Sequence, residues 1–235
     1  VVTGGAGFIG SAIAHELNMR GRMDLLIVDD INHPEKEKNI TSIKYQELRG
    51  INSFLGEIIE RDINSIEAII HMGACSSTTE TDEKFLIKNN YHYTRHLATY
   101  ALEKGIRFIY ASSAATYGSG EMGYSDDESK LNKLKPLNFY GESKHKFDIW
   151  AESQGILDRV VGLKYFNIFG PNEYHKENMQ SMVRKGFIQA KEKNKICLFK
   201  SYKKEYKDGG QERDFLYIND AVNMTLFFLD NPNIG

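Results

Sequence analysis

The chain opens with Val1-Val2-Thr3-Gly4-Gly5-Ala6-Gly7-Phe8-Ile9-Gly10 and runs straight into Ser11-Ala12-Ile13-Ala14-His15-Glu16-Leu17. A β-branched start, glycines Gly4, Gly7 and Gly10 at GxxGxxG spacing, and apolar residues at helical spacing predict a strand, a tight turn and a helix with outward-facing N–H groups. Gly4 permits the turn, Gly7 lets backbone approach a pyrophosphate, and Gly10 lets the helix lie close on its strand. The next apolar run, Leu25-Leu26-Ile27-Val28, ends in Asp29-Asp30, with Asp29 standing 19 positions after Gly10. An acidic residue about 20 positions on is where the ribose hydroxyls of a dinucleotide are held. A chain that starts this way is committed to a parallel sheet wrapped by helices.

The remaining apolar runs agree. Ala68-Ile69-Ile70-His71-Met72-Gly73-Ala74 reads as a buried strand ending in small residues, with Gly73 and Ala74 at the end that faces a cofactor. Thr81 to Lys104 repeats apolar residues at helical spacing, with Leu86, Tyr93, Leu97 and Leu102 facing inward and Gly105 as the stop. Arg107 to Ala111 is the next strand, Tyr140 to Ser153 a helix led in by Pro136-Leu137-Asn138, and Val160 to Phe166 a further strand. His33 to Asn39 and Glu121 to Lys135 read as charged, exposed loops, and Tyr45 to Ile59 fits no single element. Beyond that, Phe187 to Lys195 is expected to be helical, Tyr202 to Glu212 a solvated loop, and Phe215 to Ile218 a short strand. Asp220 is placed to cap a helix from Ala221 to Leu229. Strands alternating with helices, and only four prolines, exclude a sandwich or a bundle.

Charge narrows the class of partner. Thirty Lys and Arg against 32 Asp and Glu leave a net charge of −2 over 235 residues, so no global basic field draws nucleic acid or an anionic membrane. Cys75 and Cys197 are the only cysteines, which fits a reducing cytoplasm rather than a disulfide framework, and no metal-ligand spacing occurs. No apolar run approaches the length of a membrane span. The first residues already lie in a strand and the last, Asn231-Pro232-Asn233-Ile234-Gly235, finish no element, so a longer parent protein is expected.

Two motifs carry chemistry. Tyr140 and Lys144 form a YxxxK pair, which on a helix stacks both side chains on one face, a turn apart. Lowering a tyrosine pKa from about 10 to about 7 takes roughly 4 kcal/mol, and an ammonium about 4 Å away at an effective dielectric near 20 supplies about that. Tyr140 is then a candidate general base for an alcohol proton while the alcohol carbon gives hydride to nicotinamide. Ser113, at the C-terminal end of the Arg107–Ala111 strand, can hydrogen-bond the same oxygen.

Together, TGGAGFIG, Ser112-Ser113, Tyr140-Gly141-Glu142-Ser143-Lys144 and Tyr165-Phe166-Asn167-Ile168-Phe169-Gly170-Pro171 resemble the extended short-chain dehydrogenases/reductases that act on nucleotide sugars, the NAD-dependent epimerase/dehydratase group. Within that group, three segments resemble the ADP-glyceromanno-heptose 6-epimerases of lipopolysaccharide core synthesis. They are His71 to Glu80 with its ACSSTTE run, Ala111 to Gly118, and Gly170-Pro171-Asn172-Glu173-Tyr174-His175-Lys176 with Met179. The resemblance spans nearly the whole chain. It implies an α/β fold, a Rossmann-type doubly wound parallel sheet with a smaller C-terminal substrate lobe that is incomplete in this chain. Residues 1–167 would form the dinucleotide-binding domain and 168–235 the start of the substrate lobe, with 213–230 returning to the Rossmann domain.

The resemblance further implies a tightly held NADP and the interconversion of two C6 epimers of an ADP-heptose by transient oxidation. It gives Tyr140, Lys144 and Ser113 their usual roles and makes Lys176 a second acid/base. Cofactor contacts would come from Gly4, Gly7, Phe8, Ile9, Gly10, Asp29, Asp30, Lys36, Gly73, Ala74, Cys75, Ser76, Asn89, Lys144, Ile168 and Lys176. Substrate contacts would come from Ser113, Asn167, Asn178, Lys185, Phe199, Lys200, Ser201 and Arg213. A cytoplasmic homo-oligomer is implied as well. The chain departs from the family in a longer charged insert before Arg213, which bears on the contacts around Phe199 to Ser201.

Asp29 by itself favours NAD, because a carboxylate repels a 2′-phosphate; Lys36 or Lys38 could compensate for NADP. Other nucleotide-sugar epimerases and 4,6-dehydratases begin with the same oxidation. A dehydratase wants an acidic pair beside the serine, where this chain has Ala114-Ala115-Thr116. A non-catalytic dinucleotide sensor would have no need of Ser113, Tyr140 and Lys144 together.

Overall fold

The computed structural model describes residues 1–30, 34–61, 63, 65–202 and 204–234. Its first two-thirds run β1 (Val2–Thr3), α1 (Phe8–Met19), β2 (Leu26–Val28), α2 (Pro34–Ile40), β3 (Glu47–Arg49), α3 (Ile51–Glu60), β4 (Ala68–His71), α4 (Glu83–Leu86), α5 (Tyr93–Lys104), β5 (Arg107–Ala111), α6 (Phe139–Ser153) and β6 (Val160–Leu163). The last third holds β7 (Asn167–Phe169), α7 (Met182–Lys193), β8 (Phe215–Tyr217) and α8 (Ile218–Asp230). Six strands form one sheet in the order β3-β2-β1-β4-β5-β6, every pairing parallel. This is the doubly wound order, and the expected sheet is present. Thr3 at the end of β1 lies in register with Val28 on one side and His71 on the other. The strand order reverses at β1, so the crevice that binds ligands in such sheets opens at the C-terminal ends of β1 and β4.

Both faces of the sheet are covered by apolar helix stripes. On one face Ile13 and Leu17 of α1 pack with Ile218, Val222 and Leu226 of α8 over Val2, Ile27 and Ile70. On the other, Phe54 of α3, Leu97 and Ala101 of α5 and Phe147 of α6 close over Ile69 and Phe108. Burial on both sides explains why the strands read as unbroken apolar runs rather than alternating ones.

Several local expectations are revised. Pro34 to Asn39 is helix, not loop: Pro34 occupies the first helical position, Glu35 and Glu37 sit in the first turn and Lys38 in the last. His33, the first residue of that expected loop, falls outside the described residues. Tyr45 to Ile59 resolves into β3 and most of α3. Glu128–Lys133 inside the charged stretch forms a 3-10 helix that buries Leu131. The expected strand Val160–Phe166 ends at Leu163; Asn167–Phe169 instead pairs in parallel with Phe215–Tyr217 in a separate two-stranded sheet. The seventh helix starts at Met182, five residues before the expected Phe187, capped by the Ser181 hydroxyl. Asp220 lies within the first turn of α8 rather than capping it, since Tyr217 holds the cap position.

The helix expected over Thr81–Lys104 is present but changes its winding. Asp82 caps α4 by accepting from the Phe85 N–H at 2.9 Å, and Gly105 ends α5 with φ +67°. Between them Ile87–His92 is wound as π-helix. No helix among the described residues is long and apolar enough to cross a membrane.

Candidate active site

The glycine turn is packed from behind and open in front. Gly4 has φ +66°, and a Cβ there would lie 2.6 Å from the Gly73 nitrogen, so the turn after β1 rests directly on the segment after β4. A Cβ on Gly10 would lie 2.1 Å from the Gly4 carbonyl oxygen; the close approach this glycine allows is to the turn itself. A Cβ on Gly7 would meet only the Gly4 oxygen, at 3.1 Å. Gly7 is the cap residue of α1 and supplies no side-chain acceptor, and no acidic residue stands in the first turn. The first helical bond runs from Ser11 N to Gly7 O, which leaves the N–H groups of Phe8, Ile9 and Gly10 without a helical acceptor. A bare helix start fronted by a glycine fits an anionic diphosphate.

Asp29 is buried and engaged on both oxygens. Oδ2 accepts from the Ala6 N–H at 2.9 Å; Oδ1 accepts from the Asp30 N–H at 2.7 Å and from Lys36 Nζ at 2.8 Å. The helical winding of α2 brings Lys36 back to the strand end, while Lys38 pairs with Glu35. Of the two candidate lysines, Lys36 is the one that neutralises Asp29.

Ser113, Tyr140 and Lys144 converge at the end of β5. Asn138 caps α6 through Oδ1, accepting from Gly141 N at 2.8 Å, and this orients the first turn that carries Tyr140. Lys144 is buried and its Nζ donates to the Ala111 carbonyl at 2.7 Å. Burial lowers its pKa to about 8, against the opposing pull of Asp148 and Cys75. Ser113 is buried and its Oγ accepts from the Ala115 N–H at 3.1 Å. The Tyr140 phenol departs from the sequence expectation: burial raises its pKa, and hydrogen bonding with Ser113 pulls it only partly back. Lys144 spends its ammonium on Ala111, so the lysine alone does not make a neutral-pH phenolate here.

Beneath these groups runs a polar chain that links the phosphate turn to the catalytic helix. The Gly73 N–H donates to Thr3 Oγ1 at 3.2 Å, and Thr3 Oγ1 lies 2.6 Å from His71 Nδ1. His71 Nε2 lies 2.9 Å from Thr94 Oγ1, which donates to the Asn90 carbonyl at 2.7 Å. Each hydroxyl donates in one direction only if His71 is neutral with its proton on Nε2, and burial accordingly lowers its pKa to about 3. Asn90, fully buried on the π turn, clasps Cys75: Cys75 N donates to Oδ1 at 2.9 Å, and Nδ2 donates to Cys75 O at 3.0 Å. Nδ2 also donates to Ser143 Oγ at 3.0 Å, and Ser143 Oγ donates to Tyr140 O at 2.7 Å. Gly73 and Cys75 are thus tied through Asn90 and the His71 chain to the helix that carries Tyr140, with Ala74 between them and exposed Ser76 just beyond. Asn89, the residue singled out from the sequence, turns its amide back to Phe85 O at 2.8 Å. Asn90 was the missed neighbour, and its Asn-x-x-x-Thr spacing to Thr94 was the available signal.

Lys176 lies in a 3-10 turn, Tyr174–Met179, with Nζ 5.4 Å from the centre of the Phe8 ring. It therefore stands over the start of α1. Burial lowers its pKa, opposed by Glu173. Glu173 is itself buried and holds the loop closed, accepting from Ser181 N at 2.6 Å and Ser181 Oγ at 2.8 Å. Ile168 is buried within β7, and Asn167 donates through Nδ2 to Asp214 O at 2.9 Å. Lys185 reaches the Asn178 carbonyl at 2.5 Å. Phe199, Lys200, Ser201 and Arg213 stand apart on an exposed stretch whose bonds are largely to itself: Gly209 N to Phe199 O, Ser201 N to Asp208 Oδ1, Gln211 Nε2 to Lys200 O and Arg213 to Glu212 O.

The profile of the NAD dependent epimerase/dehydratase family matches residues 1–235. The chain is 49% identical over 235 residues to the ADP-L-glycero-D-manno-heptose-6-epimerase of Fusobacterium nucleatum, covering 98% of this chain and 71% of that protein. It is 46% identical to the protein of the same name from Nitratidesulfovibrio vulgaris, covering all of this chain and 73% of that one. Among solved structures, the Helicobacter pylori ADP-L-glycero-D-manno-heptose-6-epimerase superposes with a TM-score of 0.82 at 30% identity, over 96% of this chain and 71% of that one. A Bacillus cereus UDP-glucuronic acid 4-epimerase in complex with UDP-glucuronic acid and NAD gives 0.75 at 25% identity, over 100% and 74%. With its glycine turn, its Ser–Tyr–Lys constellation and these likenesses together, the chain belongs to the NAD dependent epimerase/dehydratase family.

Proposed function

We propose that this chain carries the dinucleotide-binding and catalytic part of an ADP-L-glycero-D-manno-heptose-6-epimerase, an isomerase that inverts C6 of an ADP-heptose in lipopolysaccharide heptose synthesis. The observation that carries this reading is the convergence of Ser113, Tyr140 and Lys144 at the strand ends beside an uncapped helix start. Identities of 46% and 49% to proteins of that name support the substrate. Residues 1–167 act as the dinucleotide domain and 168–235 begin the substrate lobe, with the packing of α8 on α1 supporting a return of 213–230.

The bound dinucleotide supplies a hydride acceptor and a positive nicotinamide ring. Gly7 and the N–H groups of Phe8, Ile9 and Gly10 would hold its diphosphate, with the Gly73–Ser76 segment as the neighbouring wall. Asp29, neutralised by Lys36, would take the adenosine ribose, and the Lys36 ammonium would favour NADP over NAD by meeting a 2′-phosphate. Tyr140 takes the proton of the C6 hydroxyl as hydride leaves C6, with Ser113 Oγ bonded to the same oxygen and Lys144 favouring the phenolate. The product of that step is a planar C6 ketone. Rotation about C5–C6 presents its other face and carries the oxygen away from Tyr140, so the returning hydride needs a second proton donor. Lys176, with its lowered pKa, supplies it. Asn167, Asn178, Lys185, Phe199, Lys200, Ser201 and Arg213 hold the nucleotide sugar. The protein works as a cytoplasmic homo-oligomer.

The test uses the full-length protein. Mass spectrometry of the copurified dinucleotide is expected to give NADP, and Lys176→Met is expected to keep it while epimer interconversion falls by about 100-fold or more. Turnover within a few-fold of wild type would exclude Lys176 as the second acid/base. Copurified NAD would overturn the role given to Lys36.

A further inference from the structure

We infer that Asp148 and Lys164 form a buried charged clamp that positions Ser113 and Lys144, holding the end of β5 against α6. The inference rests on the reading of Ser113, Tyr140 and Lys144 as the proton-handling set. Asp148 follows Lys144 by four positions on α6, extending the stripe that begins at Tyr140. It is 2% exposed and takes three donors: Tyr110 Oη at 2.8 Å on Oδ1, Ser112 Oγ at 2.8 Å and Lys164 Nζ at 2.6 Å on Oδ2. Lys164 reaches out from the connection between β6 and β7 and donates a second bond to Thr116 Oγ1 at 2.8 Å. Thr116 Oγ1 in turn donates to the Ser113 carbonyl at 2.8 Å. Ser113 is therefore held on both sides, through Ser112 to Asp148 and through Thr116 to Lys164. The carbonyl two residues before Ser113, Ala111 O, receives the Lys144 ammonium.

Packing alone gives little reason for this pair. Removing two charges from water is costly, and apolar side chains of similar volume commonly serve a buried linkage as well or better. What an apolar substitute cannot do is give directed bonds to two hydroxyls flanking a catalytic serine, or act electrostatically on Lys144. The groups facing Lys144 are Asp148 on its own helix, Cys75 after β4 and His71 on β4. With His71 neutral, Asp148 is the carboxylate of this set, and it favours the ammonium against burial. Lys164 and His145 in turn face Asp148.

Three variants of the full-length protein test the clamp. Thr116→Val cuts the relay from Lys164 to Ser113 without touching the ion pair. Dinucleotide content should hold, the melting temperature should fall only by what a buried hydroxyl's bonds are worth, KM should stay within about threefold and kcat should fall about tenfold or more. Asp148→Asn should move the alkaline limb of the rate profile, where the Lys144 proton is lost, about one unit to lower pH. The same shift should appear in a 13C NMR titration of lysine side chains, which needs no turnover. The double variant Asp148→Asn, Lys164→Met removes both charges of the pair together, leaves the net charge of the site unchanged, and should melt near wild type while kcat stays low. Wild-type kcat in Thr116→Val, or wild-type kcat and pH profile in the double variant, would overturn the clamp and leave a packing role. Tyr140→Phe is the separate control: if it turns over normally, the catalytic reading fails, while the Lys144 titration still reports on the clamp.

Discussion

The strand-end site and the Ile196–Asp214 stretch differ in how each holds its side chains. At the strand ends, Ser113, Lys144 and Asp148 are 8%, 5% and 2% exposed, and bonds from β5, the turn after it and the β6–β7 connection fix them. In the later stretch Phe199 is 66% and Tyr202 93% exposed, and most of the hydrogen bonds close the stretch on itself, as from Ser201 N to Asp208 and from Gln211 to the Lys200 carbonyl. The first region is built for geometry that tolerates no displacement, because proton and hydride transfer depend steeply on distance. The second presents large apolar and basic side chains outward. Substitutions in the first should change kcat; in the second they should change KM.

The sharpest break of that contrast is Tyr140→Phe, which removes one hydroxyl from the rigid region. Epimerisation is expected to fall by about 10³-fold with the dinucleotide still bound and the melting temperature nearly unchanged. Turnover near wild type would mean another group takes the alcohol proton.

Next in size is the pH dependence of stability that His71 confers on the strand-end region. Its folded pKa is about 3 against an ordinary 6.5. Below about pH 6.5 the unfolded chain takes up a proton that the folded chain refuses, so stability falls as pH drops from 6.5 toward 3 and is unaffected above 6.5. The slope from this residue is about 1.4 kcal/mol per pH unit. Denaturant titrations at pH 7.5 and 5.5 should show the loss, and His71→Gln should flatten it. An equal slope in that variant would assign the acid lability elsewhere.

The smallest effect is expected in the exposed stretch. Phe199→Ser should change stability by no more than about 0.5 kcal/mol, while KM for the nucleotide sugar rises several-fold and kcat holds. A fall in kcat with unchanged KM would place Phe199 with the rigid region instead.

What was legible in the sequence follows the same division. The glycine turn, the apolar strands and the Tyr140–Lys144 spacing could be read because each rests on a local rule of turn, burial or helix periodicity. The helix at Pro34–Ile40 was not, because its residues are charged and its purpose, bringing Lys36 to Asp29, is tertiary. The run Val160–Phe166 looks like one strand because apolar pattern says nothing of Lys164 being drawn to a carboxylate on α6. Asp148 in a helix reads as solvated, and only the fold shows it buried. Asn89 and Asn90 are adjacent and chemically identical, and the winding of the helix alone decides which one reaches Cys75.

That winding has a consequence for how the chain tolerates change in length. A π turn amounts to one residue beyond the α-helical count. Deleting one residue of Ile87–His92 would return the stretch to ordinary α-helix with the two flanking segments still in phase, whereas the same deletion elsewhere in the helix would rotate them by about 100°. Leu86 before the turn and Leu97 after it, both wholly buried, would go on facing the core together. The loss would fall instead on Asn90, whose reach to Cys75 and Ser143 depends on the π winding, so the fold should survive this deletion while the tie between the loop after β4 and α6 should not.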